Sequence, residues 1–96
     1  MASTKEYRDY VLEQLSFVPG ITCRPMMGEF LLYADGVLFG GIYDDRLLVK
    51  KTESNAGFGM SEALPYEGAK KMYLADEVDD KERLKEVVRQ TITSLP

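Results

Sequence analysis

The sequence predicts an α+β fold: an antiparallel β-meander sheet flanked by an N-terminal and a C-terminal helix. Apolar residues recur at helical spacing near both ends of the chain. Between these segments, short extended runs are separated by turns of two residues, the pattern of consecutive antiparallel hairpins. The length of 96 residues is enough for one small domain and not for two, so we expect a single domain over residues 1–96.

The first predicted element is a helix over residues 3–16. Ser3 and Glu6 have the spacing of a capping box, which would satisfy two free amide donors at the start of the helix. Pro19 and Gly20 then end the helical pattern. One face of the predicted helix carries Tyr7, Tyr10, Val11 and Leu15.

Residues 21–51 have the pattern of a β-meander. ITCRPMM is predicted to be extended, and Pro25 within it indicates an edge position because proline cannot donate to a ladder. EFLLYA and VLFGGIY are strands joined by an Asp-Gly pair, a strong hairpin signal. Asp44-Asp45 makes a second short turn before the strand RLLVKK.

Both faces of this meander carry apolar side chains. A sheet with one face in water would alternate polar and apolar residues more cleanly. With two helices available, we expect both on one face and a partly apolar second face, and homodimerisation through that second face is a hypothesis. In EFLLYA, we expect Phe30 and Leu32 on one face of the sheet and Leu31 and Tyr33 on the other. In VLFGGIY, we expect Val37, Phe39 and Tyr43 on one face and Leu38 and Ile42 on the other.

Residues 52–65 predict one or two helical turns. Thr52 or Ser54 could cap them, and Gly57 and Gly59 would end them. The stretch KKMYLA is a further short strand. A closing helix then starts at an aspartate cap, Asp79 or Asp80. Its apolar stripe consists of Leu84, Val87, Val88, Ile92 and Leu95.

The composition excludes several classes of function. The net charge of −4 argues against wrapping nucleic acid by charge alone, but leaves room for a local basic patch. Without histidine and with the single cysteine Cys23, the chain can form no Cys-His or Ser-His-Asp set, no intrachain disulfide and no ordinary zinc site. We expect no cofactor, no metal and a buried, structural Cys23. The polar N-terminus and the absence of a run of about 20 apolar residues predict a cytoplasmic protein.

The glycines do not form a cofactor-binding loop. A dinucleotide fingerprint needs its glycines at a strand-to-helix turn, whereas strand follows Gly28, Gly36, Gly40 and Gly41 here. Gly36 is predicted to form a turn, and Gly40-Gly41 a bulge or a close backbone approach.

Basic side chains are the candidate binding residues. Arg24 is either an anion clamp or a surface arginine whose stem lies on the neighbouring methionines, which are themselves expected to fill the core. Two lysine pairs either extend this site as a positive patch or are solvated strand ends that discourage aggregation. The full candidate set is Arg24, Met26, Met27, Gly28, Lys50, Lys51, Lys70 and Lys71.

Several motifs, taken in order, resemble the TfoX/Sxy N-terminal domain family over nearly the whole chain. They are Arg24-Pro25-Met26-Met27-Gly28, Tyr33-Ala34-Asp35-Gly36-Val37-Leu38-Phe39, Leu47-Leu48-Val49-Lys50, Pro65-Tyr66 and Lys71-Met72-Tyr73. The resemblance implies a small α+β domain without established catalytic residues. For longer family members, the resemblance implies regulation of natural competence for DNA uptake together with the transcription machinery. Those longer members have a second, C-terminal domain, which this chain is expected to lack.

The leading hypothesis is therefore a non-enzymatic, stand-alone bacterial regulatory domain that binds a protein partner. The transcription machinery is one candidate partner, direct binding to nucleic acid is disfavoured by the acidic total, and no membrane partner is expected. The alternative is a domain that binds a small molecule or an anion through Arg24 and the lysines, with or without enzymatic activity.

Overall fold

The computed structural model describes residues 2–95 and confirms the α+β class. Two helices flank one antiparallel sheet of six strands, arranged in the order β1-β2-β3-β4-β6-β5. No helix within the described residues is long and apolar enough to cross a bilayer. The helices are α1 (Lys5–Gln14) and α2 (Lys81–Thr93), and the strands are β1 (Ile21–Met26), β2 (Glu29–Ala34), β3 (Val37–Ile42), β4 (Leu47–Val49), β5 (Glu62–Ala63) and β6 (Met72–Leu74).

Tight turns connect the first four strands into the predicted meander. Asp35 and Gly36 link β2 to β3 with φ of 49° and 81°, the left-handed values that a type I′ hairpin requires at both positions. The turn between β3 and β4 also has positive φ at both positions, although its residues are Asp44 and Asp45, with φ of 54° and 53°. β1 forms one edge of the sheet, which confirms the position inferred from its proline.

Both helices pack on the same face of the sheet and form one hydrophobic core. α1 contributes Val11 and Leu15, and α2 contributes the predicted apolar stripe. The central strands β2, β3 and β4 contribute the core residues Phe30, Leu32, Ala34, Phe39, Ile42, Leu47 and Val49. Within residues 2–95, the opposite side of the sheet carries no helix, and we name it the helix-free face.

The expected alternation along β3 was wrong. Phe39 and Ile42 were placed on opposite faces, yet both lie in the helix-side core. The ladder between β2 and β3 shifts register between Leu32 and Tyr33, so that one extra residue enters β3. Gly40 makes this possible, because a Cβ atom there would lie 2.3 Å from the backbone carbonyl oxygen of Leu48.

The predicted cap of α1 was also misplaced. Thr4 is the N-cap, and its hydroxyl accepts a hydrogen bond from the Tyr7 amide at 3.1 Å. The hydroxyl of Ser3 donates instead to Glu29 Oε1 at 2.6 Å, in a contact that joins the N-terminus to the start of β2. The cap of α2 is Asp80, one of the two predicted aspartates.

Residues 52–65 contain less helix and more strand than the sequence predicts. Helical structure is limited to one 3-10 turn over Ala56–Phe58, so Gly57 lies inside this turn and does not end it. Gly59 ends the turn with φ of 72°, as predicted. β5 was not predicted; at two residues it is too short for any periodicity to be visible.

Candidate functional site

A groove of about 640 Å³ lies on the helix-free face, along β3, β4 and β6. Residues 64–69, called the covering segment, form one wall. The covering segment is held in place because Pro65 is buried and Arg46 Nη2 donates to the Leu64 carbonyl at 3.0 Å. Backbone and apolar side chains form the floor of the groove, contributed by Leu38, Gly40 and Met72.

One end of the groove is aromatic. The ring of Tyr43 lies down on the sheet because position 41 is glycine, where a Cβ atom would be 2.7 Å from Tyr43 Cε2. Tyr66, from the covering segment, packs beside it with ring centroids 6.2 Å apart and an angle of 53° between the planes. Burial, with the neighbouring Tyr66 and Glu29, raises the pKa of the Tyr43 phenol, so this phenol is uncharged near neutral pH.

The other end of the groove is cationic. β4 and β6 are neighbours in the sheet, so the lysines that follow β4 and precede β6 meet at one end of the pair. All four predicted lysines line the groove: Lys50, Lys51, Lys70 and Lys71. Sequence analysis alone could not supply this arrangement, since it depends on the order of the strands.

Glu62 of β5 is the carboxylate nearest to this cluster. It forms ion pairs with Lys51 and with Lys71, the latter at 3.8 Å. The hydrogen bond between Lys51 and Glu62 raises the pKa of the lysine and lowers that of the carboxyl group. Within residues 2–95, neither Lys50 nor Lys70 has a carboxylate oxygen within the 4.0 Å of an ion pair. Those two lysines therefore have no ion-pair partner among the described residues that a ligand would have to displace.

The two ends are well separated along the strands. The amide of Lys50 donates to the Phe39 carbonyl, whereas the amide of Tyr43 donates to the Arg46 carbonyl at the opposite end of the β3–β4 pair. The four residue steps from Phe39 to Tyr43 correspond to about 13 Å of extended chain. The groove is thus aromatic at one end and cationic at the other.

A buried asparagine fixes the backbone at the cationic end. Asn55 is 0% exposed, and its Nδ2 donates to the Lys50 carbonyl and to Thr91 Oγ1, both at 2.8 Å. Its Oδ1 accepts from the Thr52 amide at 2.9 Å. One side chain therefore ties the end of β4 to α2.

The predicted residues around Arg24 do not join the groove. β1 is at the edge of the sheet, three strands from β4, and the guanidinium of Arg24 lies over the ring of Tyr33 at 5.6 Å. Met27 is 98% exposed at the turn between β1 and β2, so it does not fill the core as expected. Gly28 is the second residue of that turn, with φ of 86°, and Met26 is half-buried. The lysines and Arg24 consequently belong to two different parts of the helix-free face.

Within residues 2–95, the remaining candidate reactive groups, Cys23 and the Asp44-Asp45 pair, are not among the residues that line the groove. Cys23 is half-buried, and burial raises the pKa of its thiol, which favours the unreactive protonated form. The backbone amide of Asp44 donates to the Glu29 carboxylate, and that of Asp45 donates to Ser3 Oγ. These hydrogen bonds stabilise the turn. Within residues 2–95 no three Cys, Asp or Glu side chains converge as metal ligands.

Sequence reasoning did not predict the aromatic end or the polar anchor of the groove. Tyr43 was treated as one more apolar strand residue, Tyr66 only as part of a motif, and Asn55 was not singled out. For Tyr66 the one available signal was its place directly after a proline between two predicted strands. No local pattern shows that the segment folds back over the sheet.

Comparison with known proteins agrees with this architecture. The model of the TfoX N-terminal domain family matches residues 13–95. The chain is also similar to an uncharacterized 12.7 kDa protein in the trpE 5′ region of Spirochaeta aurantia, with 31% identity over 99 residues that cover 100% of this chain and 86% of the relative. From its fold and from these matches, we conclude that the chain belongs to the TfoX N-terminal domain family.

Proposed function

We propose that this chain is a non-enzymatic regulatory domain that binds a protein partner through the open half of its helix-free face, defined as Arg24, Met26, Leu31 and Tyr33. The observation that carries the proposal is the composition of this surface. Arg24 is exposed over Tyr33, and the other three side chains are half-buried on the helix-free face of β1 and β2. Arginine, tyrosine and methionine are enriched in protein interfaces, where their stems and rings exclude water.

Family membership supports the regulatory part of the proposal. Longer members of the family are tied to competence regulation with the transcription machinery, so we propose a component of that machinery as the partner. The net charge of −4 favours a protein over duplex DNA, because phosphate binding needs a concentrated basic surface. A second copy of the chain is the competing occupant of the open half.

The non-enzymatic part is supported by what the chain offers for chemistry. It has no histidine to act as a general base near neutral pH. Its single thiol, Cys23, has a raised pKa and faces the helix-side core, where Arg8 and Asp9 are its charged neighbours. No histidine-based pairing of a nucleophile with a general base can therefore be formed.

A charge-reversal pair tests the proposal. Arg24→Glu changes the open half, and Arg89→Glu makes the same charge change at an exposed position of α2. Partners captured by crosslinking in the native cell should be recovered with the wild type and Arg89→Glu but lost with Arg24→Glu. Equal recovery with both variants would contradict the proposal. Sedimentation of the wild type at high micromolar concentration decides the homodimer alternative, because a monomer there excludes self-association as the main use of the face.

A second candidate function, binding of a small molecule or an anion, is favoured by a different observation. The four lysines named in the sequence line one groove together with two tyrosines. Arg24 has no part in this second candidate, because it lies outside the groove.

A further inference from the structure

We infer that the groove binds a small molecule with an aromatic ring at one end and a phosphate-type polyanion at the other, the chemistry of a nucleotide. Its volume of about 640 Å³ lies in the range of roughly 300–1,000 Å³ that is typical of small-molecule sites. An apolar floor with polar groups gathered at one end also matches such sites. The groove is separate from the open half, so the two proposals can fail independently.

The cationic end is suited to more than one negative charge. Within residues 2–95, the lining contains four lysines and no carboxylate, and Glu62, which pairs with Lys51 and Lys71 from outside the lining, offsets only one of the four positive charges. Lys50 and Lys70 account for most of the uncompensated positive charge, because within residues 2–95 no carboxylate forms an ion pair with either. Like charges held close together repel each other, and a polyanion removes that repulsion. A diphosphate provides two or three charges in a compact group, whereas one carboxylate provides a single charge.

The aromatic end presents a ring that is exposed and yet held in place. Tyr66 is 59% exposed although its neighbour Pro65 is buried and the covering segment is anchored to Arg46. The ring of Tyr43 packs beside it, with ring centroids 6.2 Å apart. An exposed tyrosine face on a fixed segment is a platform on which a planar base can stack.

The distance between the ends selects the class of ligand. The backbone positions that carry the two ends are about 13 Å apart along β3. Inorganic phosphate could occupy only the cationic end, and a nucleoside only the aromatic end. A nucleoside diphosphate places a ring and a polyanion on one flexible molecule and can reach both.

The test is a titration of the full chain at low salt with ADP, adenosine and pyrophosphate, followed by calorimetry and by amide chemical shifts. ADP is expected to bind with shifts at Tyr66 and Lys70, and to bind at least 10-fold more tightly than either half-molecule. Tyr66→Ala should weaken ADP binding roughly 10-fold through lost stacking. Lys50→Ala combined with Lys70→Ala should weaken it on the order of 100-fold, about 10-fold for each charge-assisted contact.

Matched controls separate binding from folding. Phe17→Ala removes an aromatic ring that is 61% exposed, close to the exposure of Tyr66, but lies outside the groove. Lys5→Ala removes one exposed charge from α1. Both controls should bind ADP like the wild type, and thermal unfolding establishes that each variant is folded before titration.

Three results would overturn the inference. Pyrophosphate binding as tightly as ADP, with Tyr66→Ala unchanged, would mean that the aromatic end is not used. Binding of an acidic tyrosine-containing peptide or a single-stranded oligonucleotide without binding of ADP would assign the groove to a macromolecule. Equal ADP affinity in the groove variants and the controls would place any binding elsewhere. Arg24→Glu should keep ADP binding, so loss of the protein-binding function leaves this result interpretable.

Discussion

Replacing Asn55 with alanine should destabilise the protein more than its place in an irregular segment suggests. The side chain is fully buried and makes three hydrogen bonds, to Lys50, Thr52 and Thr91, at 2.8–2.9 Å. At about 1 kcal/mol net for each bond, the free energy of unfolding should fall by about 3 kcal/mol. A domain of this length is stable by roughly 5–14 kcal/mol, so the loss is a large fraction of the total.

The partners of Asn55 limit the loss to this value. Thr91 keeps a second hydrogen bond, because its hydroxyl donates to the Val87 carbonyl at 2.7 Å. The backbone groups of Lys50 and Thr52 belong to half-buried residues and can reach water once the amide is gone. The penalty for unsatisfied polar groups is therefore smaller than at a fully buried site.

Equilibrium unfolding in urea, followed by far-ultraviolet circular dichroism, measures the effect. The midpoint should fall while the slope with denaturant stays unchanged, because the exposed area on unfolding is nearly the same. Ser54→Ala is the matched control, since that hydroxyl contacts only the Ser94 hydroxyl at the surface, and it should change the free energy of unfolding by less than about 0.5 kcal/mol. A loss below about 1 kcal/mol for Asn55→Ala would refute the claim that this side chain holds β4 to α2.

Three further predictions concern backbone packing, alkaline pH and the ion pair at the groove. Gly40→Ala should prevent folding or lower the melting temperature sharply, because its Cβ would collide with the β4 backbone, whereas Gly57→Ala meets open space and should melt like the wild type. Burial raises the pKa of Tyr43, so its contribution to stability is complete below the ordinary tyrosine pKa of about 10 and is lost as pH rises through the raised value. Denaturant unfolding from pH 9 to 11 should show a decline that Tyr43→Phe reduces, and an identical decline in both proteins would assign it to other groups. Glu62→Gln frees Lys51 from its ion pair and should tighten ADP binding in calorimetry with little change in melting temperature, since the pair is exposed; weaker binding would mean that Glu62 positions the lysine instead.

The predictions that succeeded rest on residues close together in the chain. An Asp-Gly pair between two extended runs indicates a type I′ turn, because both positions need positive φ, and the observed angles of Asp35 and Gly36 agree. The apolar stripe from Leu84 to Leu95 predicts α2 by its period alone, and all five of its members lie in or against the core. Such patterns involve residues that are only a few positions apart in the sequence.

The predictions that failed involve contacts between distant residues. Ser3 has the right spacing for a cap, but its hydroxyl is engaged by Glu29, 26 residues away. The alternation of Phe39 and Ile42 is broken by a bulge whose position is set by the pairing of β3 with β2 and β4. Met27 follows a strand pattern that ends one residue earlier, in a turn that leaves the side chain in water.

For the candidate site as well, some features follow from the sequence and others depend on the tertiary structure. The sequence alone determined that two lysine pairs flank strands, that Arg24 begins a family motif, and that no histidine-based chemistry is available. Only the tertiary structure decided that all four lysines share a groove, that Tyr66 completes it and that Arg24 lies outside it on the same face of the sheet. The physical reason is that a strand's neighbours and the path of a covering segment are set by burial of the whole core. A local pattern specifies which side chains are available, and the order of strands decides which of them meet.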